Sequence, residues 1–403
     1  MTLNFEKLKN QKLFENIKEF SLSKKREIIY KQSFIFKKHF SGDSPPEIFV
    51  GRYNYPNINA GILSPPFSRD ENNIQELSMP EIWHEKKLTI DDILMKRNQL
   101  IYGKFKTHIK LKNKFKETMQ ELAMAYKPVS TEFFLKTVPK QNFEINRFSP
   151  IITNQAPLEY ARLQENPKIK PKVDYLVSDT DNKATNSIIE LYKDKIPISN
   201  INKILSAGLL GLKISRKLVP TRWSITAVDD IISKELLKKI RYYNEISEIL
   251  VFNSEYNGNH YEILLLPGNY SFEVIEAEIT NEIKFWQDYE FFHGRKTYAN
   301  EVVGAYYANR LALCEYLEKI KKQATAIFFR EINNYYAPLG VGILRETCRE
   351  AFFNGPEKFN TLNEAFKVIQ NRLKININIF KEKSILLKNY GKQKNLTKWF
   401  DSV

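Results

Sequence analysis

Residues 249–278 read Ile249-Leu-Val-Phe-Asn-Ser-Glu-Tyr-Asn-Gly-Asn-His-Tyr-Glu-Ile-Leu-Leu-Leu-Pro-Gly-Asn-Tyr-Ser-Phe-Glu-Val-Ile-Glu-Ala-Glu278. Apolar runs at 249–252, 261–266 and 272–278 are separated by an Asn-Gly and a Pro-Gly dipeptide. These dipeptides favour tight turns between strands. We therefore expect three strands here, joined in an antiparallel sheet.

The segment 41–66 predicts a second pair of strands, at 48–50 and 58–63, which ends in a Pro-Pro turn. Gly51 between them permits a tight turn or a close backbone approach. Arg52 and Tyr53 follow it at the strand end, where they are candidates for contact with phosphate or nucleic acid. The alternative is that both side chains only cover the end of the sheet.

Helical spacing of apolar residues predicts one or two amphipathic helices in 91–126 and mainly helical structure in 300–350, including 327–332. Further helices are expected at 343–353 and 362–373. Around Leu218, Trp223 and Val228 we expect strands and turns, followed by a helix from near Asp229. The fold class is α+β, with a mixed or antiparallel sheet core, a helical C-terminal part and a flexible C-terminal tail.

Composition limits the class of protein. The 403 residues are 42% apolar and 13% aromatic, which is typical of a folded chain. Cys314 and Cys348, the only two cysteines, give no disulfide framework and no four-cysteine zinc site, so we expect reduced core thiols. No run of 18 apolar residues and no apolar leader core are present, so we expect a cytoplasmic protein without a membrane partner.

The net charge of +15 fits a nucleic-acid partner, because neutralising phosphates supplies most non-specific affinity. A general bias towards Lys, Asn and Ile produces the same charge without such a partner. The charge alone therefore favours DNA as a partner only modestly.

The densest polar and aromatic cluster is 220–230. Arg222 can hold a phosphate through two parallel N–H groups, and Asp229 and Asp230 carry the oxygen ligands that Mg²⁺ prefers. Neighbouring residues on a helix or strand point apart, however, so both carboxylates are not expected to reach one ion. The alternative is a structural role, with Asp230 as a helix N-cap.

A second cluster, 286–298, contains Glu290, His293 and Arg295 around Gly294. An imidazole and a guanidinium on a glycine turn can serve acid–base chemistry or contact a phosphate. A surface histidine without a function is the alternative. Arg330, Arg345 and Arg349 are expected on helices, in ion pairs or along a basic groove.

Other catalytic motifs are weak. Asp174 and the run Asp181-Asn-Lys183 loosely match a nuclease core, but residues 179–183 are typical of a turn. The sequence holds no P-loop, no Gly-x-Gly-x-x-Gly and no His-Glu-x-x-His motif. We therefore expect no cofactor, with Mg²⁺ only if the protein is an enzyme.

Near the C-terminus, Gln393, Leu396 and the adjacent aromatic residues Trp399 and Phe400 follow one another at three-residue spacing. Such residues stack on one side of a 3₁₀ turn and form an aromatic plug for a small apolar pocket. The pattern resembles the PCNA-interacting peptide, Gln-x-x-aliphatic-x-x-aromatic-aromatic. The resemblance implies binding to a sliding clamp, and packing on the protein's own core is the alternative.

Several blocks along the chain resemble the archaeal Nre family of DNA-repair proteins. They are Phe49-Val-Gly-Arg-Tyr-Asn-Tyr-Pro56, Leu218-Val-Pro-Thr-Arg-Trp-Ser-Ile-Thr-Ala-Val-Asp-Asp230, Glu262-Ile-Leu-Leu-Leu-Pro-Gly268, Gly304-Ala-Tyr-Tyr-Ala-Asn-Arg310 and Pro338-Leu-Gly-Val-Gly-Ile-Leu-Arg-Glu346. The resemblance implies an archaeal repair protein that the sliding clamp recruits. Some members carry an N-terminal cysteine cluster that looks like a zinc finger; this chain has none, so zinc is not expected.

The expected domains are a helical segment at 1–40, an α/β domain at 41–285 resembling the Nre N-terminal part, a mainly helical domain at 286–385 and a tail at 386–403. Three functions remain open. The first is a clamp-recruited repair factor that binds DNA. The second is a metal-dependent nuclease or nucleotide phosphoesterase that uses Asp229, Asp230 or Glu290 with Arg222 or His293, and the third is a scaffold without enzymatic activity.

Overall fold

The computed structural model describes residues 36–144, 151–279 and 283–391. Most of the predicted N-terminal helical segment lies outside these ranges, as do the clamp-binding candidates Gln393, Leu396, Trp399 and Phe400. Two sheets with helices around them confirm the predicted α+β class. The chain divides into two compact units. The first holds the described residues up to Val228 and Ala337–Ile343, and the second holds Asp229–Tyr336 and the described residues from Leu344 onward.

The first unit is built on a seven-stranded sheet of order β1-β5-β7-β4-β3-β2, with β6 paired to β7. Within the described residues, all strand pairs of this sheet are antiparallel except β4 with β7. The strands are β1 (His39–Ser44), β2 (Glu47–Val50), β3 (Asn57–Ser64), β4 (Ile101–His108), β5 (Val129–Leu135), β6 (Lys140–Glu144) and β7 (Ile152–Leu163).

Among the residues that the structure describes, seven α-helices lie wholly in this unit: α1 (Glu71–Gln75), α2 (Pro80–Glu85), α3 (Ile90–Arg97), α4 (Lys114–Met124), α5 (Pro171–Ser178), α6 (Ala184–Lys193) and α7 (Ile198–Ser206). Thr89 and Asp92 cap α3 reciprocally, and Asn113 caps α4 by accepting from the backbone N–H of Lys116 at 2.9 Å. Helices α4 and α7 pack on strand β2. A separate apolar cluster joins Leu63 and Tyr102 of the sheet to Ile74 of α1.

The second unit contains a six-stranded sheet of order β11-β10-β12-β9-β8-β13. Its strands are β8 (Ile249–Tyr256), β9 (Asn259–Leu266), β10 (Ser271–Glu278), β11 (Lys284–Glu290), β12 (Thr325–Ile332) and β13 (Glu357–Phe359). Strands β8, β9 and β10 confirm the three strands predicted in 249–278. Only β10 and β12 run parallel among the pairs of this sheet within the described residues.

Helices cover both faces of this sheet. They are the end of α8 (Thr221–Ile240), with α9 (Gly304–Ile320) and α10 (Val341–Asn354), on one face, and α11 (Leu362–Arg372), α12 (Ile377–Lys383) and α13 (Ile385–Asn389) on the other. Phe328 packs with the first set of helices and Phe329 with the second. Each fully buried phenylalanine contributes on the order of 2–3 kcal/mol of hydrophobic free energy.

Strand β12 lies between β10 and β9, although β9 and β10 are consecutive in sequence. The chain completes β11 and α9 before β12 returns to fill the gap. All eight residues of β12 are buried. The prediction of a helix at 327–332 is therefore wrong, because a strand covered on both faces has no polar alternation to reveal it.

A further local prediction is wrong. Helix α8 begins at Thr221, immediately after Pro220, so Trp223 and Val228 lie on a helix and not in strands and turns. Its buried positions recur every three or four residues, as Ile225, Val228 and Ile232 show. The region 91–126 contains the two helices that the prediction allowed, α3 and α4, but strand β4, which was not predicted, lies between them.

The buried cysteines fit their expected role. Cys314 and Cys348 are free and buried in the core of the second unit. Burial raises the pKa of both thiols well above the ordinary value, so both stay protonated. The predicted domain boundaries at 40, 285 and 385 stay predictions. No helix among the described residues is both long and apolar enough to span a bilayer.

Candidate functional site

The turn between β2 and β3 holds Arg52 and Tyr53 in a fixed loop. The backbone N–H of Gly51 donates to the carbonyl of Asn59 at 2.8 Å, and the N–H of Asn57 donates to the carbonyl of Asn54 at 2.8 Å. A side chain at Gly51 would begin 3.0 Å from that Asn59 carbonyl oxygen, which favours glycine there. Tyr53 is 72% exposed, and the Arg52 guanidinium lies 5.1 Å from the centre of its ring.

The first turn of α8 lies beside this loop. The Thr221 hydroxyl accepts from the backbone N–H of Val50 at 2.9 Å, and the ring of Trp223 lies 5.1 Å from that of Tyr55. Arg222 stands between these two contacting residues and is half-buried. The structure therefore brings three predicted candidates, Arg52, Tyr53 and Arg222, into one neighbourhood of the first unit.

The end of β4 adds basic groups to the same neighbourhood. Lys106 pairs across the sheet with Asn59, and His108 pairs with Asn57, directly after the turn. The N–H of Ile109 donates to the carbonyl of Pro56 at 3.1 Å. We call the set formed by the turn 51–56, residues 106–110 and the segment 217–223 the basic corner.

The sequence segments that supply the basic corner contain long runs without Asp or Glu. Residues 99–116 contain six lysines and no Asp or Glu. Residues 195–228 contain six lysines or arginines and again no acid. Lys106, His108 and Lys110 are exposed, and sequence reasoning missed all three. The acid-free runs are the sequence signal that could have identified them.

In the second unit, Arg310 of α9 joins two of the predicted carboxylates. Its Nη1 donates to Glu290 at 3.0 Å, and its Nη2 pairs with Asp230. The hydroxyl of Tyr270 donates to the other Glu290 oxygen at 2.7 Å. Arg310 and Glu290 are buried, whereas Asp230 is partly exposed and also pairs with Lys234 at 2.7 Å.

Aromatic rings enclose this cluster. The guanidinium of Arg310 lies 5.5 Å from the ring centre of Tyr306 and 5.4 Å from that of Tyr307. Burial raises the pKa of both tyrosines, so their hydroxyls remain neutral. Burial alone would lower the pKa of Arg310, but the Glu290 carboxylate holds it well above its usual range. Arg310 is therefore a buried residue that stays charged, and the Glu290 and Asp230 carboxylates balance its charge.

Asp229 points away from Asp230, as the sequence predicted. Both of its oxygens accept from Arg345 Nη1, at 2.7 and 3.0 Å, and both side chains are buried. Burial raises the pKa of Asp229, while the charge of Arg345 opposes the shift. The N-cap suggested for Asp230 is wrong, because α8 begins nine residues earlier at Thr221.

His293 and Arg295 occupy the predicted glycine turn, where Gly294 has a φ of +79°. His293 is exposed. Arg295 pairs with Asp288 at 2.9 Å and donates to the carbonyls of Tyr289 and Tyr298 at 3.0 and 3.3 Å. Through these bonds the Arg295 guanidinium holds its own loop in place.

The remaining arginines also form ion pairs. Arg345 and Arg349 lie on α10, as predicted, and Arg349 Nη2 pairs with Glu315 at 2.7 Å. Arg330 was expected on a helix, which is wrong: it lies on β12, where it pairs with Glu276. The loose nuclease match falls on α5 and a turn, in which Asp179 accepts from the N–H of Asp181 at 3.0 Å.

The two regions offer different chemistry. The basic corner presents cations and aromatic rings at a surface. In the second unit, each predicted carboxylate is neutralised by an arginine, so none is a free ligand for Mg²⁺ or a free base. Across the described ranges, no group of three His, Cys, Asp or Glu side chains is arranged to hold a metal ion.

Together these features define an α+β protein of two sheet-based units, with a basic aromatic surface on the first and a network of buried ion pairs in the second. Two family models match the chain: "Archaeal Nre, N-terminal" over residues 17–284 and "Archaeal Nre, C-terminal" over residues 290–399. The chain belongs to the archaeal Nre family.

Curated relatives carry repair names. The chain is 35% identical to the DNA repair protein NreB of Archaeoglobus fulgidus over 88% of this chain and 90% of that protein. It is 32% identical to the DNA repair protein NreA of Haloferax volcanii over 87% and 88% of the two chains. No solved structure matches the chain significantly. Family membership supports a role in DNA repair.

Proposed function

We propose that this protein is a DNA-damage repair factor that the sliding clamp recruits to DNA. The observation that carries the proposal is the motif Gln393, Leu396, Trp399 and Phe400, which resembles the PCNA-interacting peptide at all four key positions. The last described helix ends at Asn389, shortly before the motif begins. Membership of the Nre family supports the repair context.

The two aromatic residues supply most of the proposed binding energy. Rigid aromatic anchors in a small pocket dominate such interfaces, at on the order of 2–4 kcal/mol each when they act as hot spots. Lys392, Lys394 and Lys398 flank the key positions and steer the peptide towards an acidic surface. Raising the salt concentration should therefore slow association more than it speeds dissociation.

Titration calorimetry of the full-length chain against the clamp of the same organism tests the proposal. The double variant Trp399→Ala/Phe400→Ala should lose measurable binding and keep the melting temperature of the parent. The matched control Asn395→Ala/Thr397→Ala changes two positions that the motif leaves open and should bind as the parent does. Clamp affinity that is equal in parent and Trp399→Ala/Phe400→Ala would refute the recruitment.

The nuclease and phosphoesterase alternative lacks a matching geometry. It requires carboxylates free to bind a metal ion or to accept a proton. Asp229 is held by Arg345, and Arg310 holds Asp230 and Glu290. All three carboxylates are engaged in ion pairs of the second unit, so we propose no reaction that uses them.

A further inference from the structure

We propose that the basic corner of the first unit binds single-stranded DNA, with Tyr53 and Tyr55 stacking on bases and Arg52, Lys106 and Lys110 contacting phosphates. The inference depends on the proposed action on DNA, because it names the form of DNA that the protein holds. It does not depend on the clamp, and its test uses none.

The first argument is the unbalanced charge of the surface. Within the described residues, neither Arg52 nor Lys106 nor Lys110 forms an ion pair. No acidic residue occurs in 51–69, 99–116 or 195–228, the segments that supply the corner. Clustered cations without neighbouring acids favour an anionic polymer, since each neutralised phosphate releases a condensed counterion.

The second argument is the exposure of aromatic rings inside this charge. Tyr53 is 72% exposed and Tyr55 is 38% exposed. A large exposed aromatic ring is poorly hydrated, but its face can stack on a nucleic-acid base. The Arg52 guanidinium beside Tyr53 and the Trp223 ring beside Tyr55 limit the motion of both platforms. Little rotamer entropy is therefore lost when a base stacks there.

The third argument is the rigidity of the loop that carries these rings. Three backbone hydrogen bonds hold its ends: Gly51 to Asn59 at 2.8 Å, Asn57 to Asn54 at 2.8 Å and Ile109 to Pro56 at 3.1 Å. Asn54 has a φ of +60°, a left-handed conformation that asparagine tolerates better than most residues. The turn is built to present Tyr53 and not to bury it.

Single strands fit this surface better than duplex. In a duplex the faces of the bases are already stacked on one another, so tyrosine rings gain nothing and only the phosphate contacts remain. In a single strand every base offers a free face, and stacking contributes regardless of sequence. Removing the tyrosines should therefore weaken binding to single strands selectively, whereas removing the cations should weaken binding to both forms.

Fluorescence anisotropy of the full-length chain with a labelled 20-nucleotide DNA strand, and with the duplex of the same sequence, tests the inference. The parent should bind the single strand more tightly. Tyr53→Ala/Tyr55→Ala should lower single-strand affinity about tenfold or more and change duplex affinity by less than about twofold. The matched control Tyr175→Ala/Tyr242→Ala removes two exposed tyrosines elsewhere, which are 61% and 90% exposed, and should bind as the parent does.

Salt dependence separates the role of the cations. Arg52→Ala/Lys106→Ala/Lys110→Ala should reduce the slope of log affinity against log salt by about 2, since each single-strand phosphate contact contributes roughly 0.7. The control Lys234→Ala/Lys238→Ala/Lys239→Ala removes the same charge from α8 in the second unit and should keep the parent slope.

A single tyrosine variant guards against a loss of folding. Tyr55 packs on Trp223, so replacing Tyr55 carries the larger risk to the fold. Tyr53→Ala alone therefore serves as the variant with the smaller risk.

Several outcomes would overturn the inference: tighter binding of duplex than of single strand, unchanged single-strand affinity in Tyr53→Ala/Tyr55→Ala, or tighter binding of RNA of the same sequence. Trp399→Ala/Phe400→Ala should bind single strands as the parent does. That variant should lose clamp binding and keep binding to single-stranded DNA. The variants of the basic corner should lose binding to single-stranded DNA and keep clamp binding, so failure of one proposal can be distinguished from failure of the other.

Discussion

The basic corner of the first unit and the ion-pair network of the second use the same kinds of side chain in opposite ways. At the corner, Lys106 and Lys110 are exposed and form no ion pair with any residue that the structure describes. In the network, Arg310 and Arg345 are 2–3% exposed and each meets a carboxylate. Charge alone therefore does not reveal a function, because the acids brought within reach by the fold decide what each cation does.

The two regions also differ in what their charged side chains cost the folded state in lost hydration. A cation in water keeps its hydration and costs the fold little, so the corner can keep its charge available for a ligand. A buried cation has lost its hydration and depends entirely on its partner. The comparison predicts that changes in the network alter stability, whereas changes in the corner alter only binding.

The largest effect is expected from breaking the Asp229–Arg345 pair. Asp229→Asn leaves the Arg345 guanidinium buried without its counter-charge, which should lower the free energy of unfolding by about 3–5 kcal/mol. Urea denaturation followed by circular dichroism measures the loss. The control Glu235→Gln alters a partly exposed carboxylate of the same helix, paired with the exposed Lys238, and should change stability by less than about 1 kcal/mol.

A second variant checks the cause of that loss. Asp229→Leu/Arg345→Leu removes both charges and fills the space with apolar atoms, so it should be more stable than Asp229→Asn. If the double variant is the less stable of the two, the uncompensated charge is not what destabilises Asp229→Asn.

An intermediate effect is expected from pH at His260 in the second unit. Burial alone would lower the pKa of His260, but its hydrogen bond to Glu262 at 3.0 Å and the charge of Glu255 outweigh burial and raise it. A histidine whose folded pKa exceeds the ordinary 6.5 stabilises the protein fully below that pH. The stabilisation is lost as pH rises through the folded pKa.

Measurement of the free energy of unfolding of the parent and of His260→Gln at several pH values tests this sign. The advantage of the parent should be greatest below pH 6.5 and should shrink as pH increases. The conservative variant Tyr242→Phe, at an exposed ring, should keep a constant difference from the parent. An advantage that grows with pH would mean that the neutral imidazole is the stabilising form.

The smallest effect on stability is expected at the corner. Lys106→Ala removes an exposed charge that has no ionic partner among the described residues, so the free energy of unfolding should change by less than about 0.5 kcal/mol. Thermal denaturation of parent and variant measures it. A loss comparable to that of Asp229→Asn would place Lys106 in a structural network and remove the contrast between the two regions.

Local sequence signals identified some elements and misled at others. Strands β2, β3, β8, β9 and β10 were predictable because turn residues bound short apolar runs. Strand β12 was not, because all eight of its residues are buried and none marks a solvent face. Helix α8 carried a helical spacing, but the β-branched and aromatic residues at its start favoured strands.

The sites were less predictable than the elements. Arg52 and Arg222 were candidates separately, but their proximity depends on a hydrogen bond between Val50 and Thr221, which are 171 residues apart. Asp229 and Arg345 meet across 116 residues. A single sequence does not reveal which distant residues meet in the fold. Asp229 could therefore be read from the sequence as a metal ligand, although in the structure it is one half of an ion pair.

The central position of β12 sets a timing constraint while the chain is being made. A ribosome releases β8 and β9 first and β10 and β11 later, and each pair can close as a hairpin on its own. Until Ile332 has emerged, the edge of β9 and the edge of β10 that will flank β12 both carry open backbone donors and acceptors. Such edges recruit other chains, so the nascent protein passes through an aggregation-prone stage that ends only when this late strand inserts.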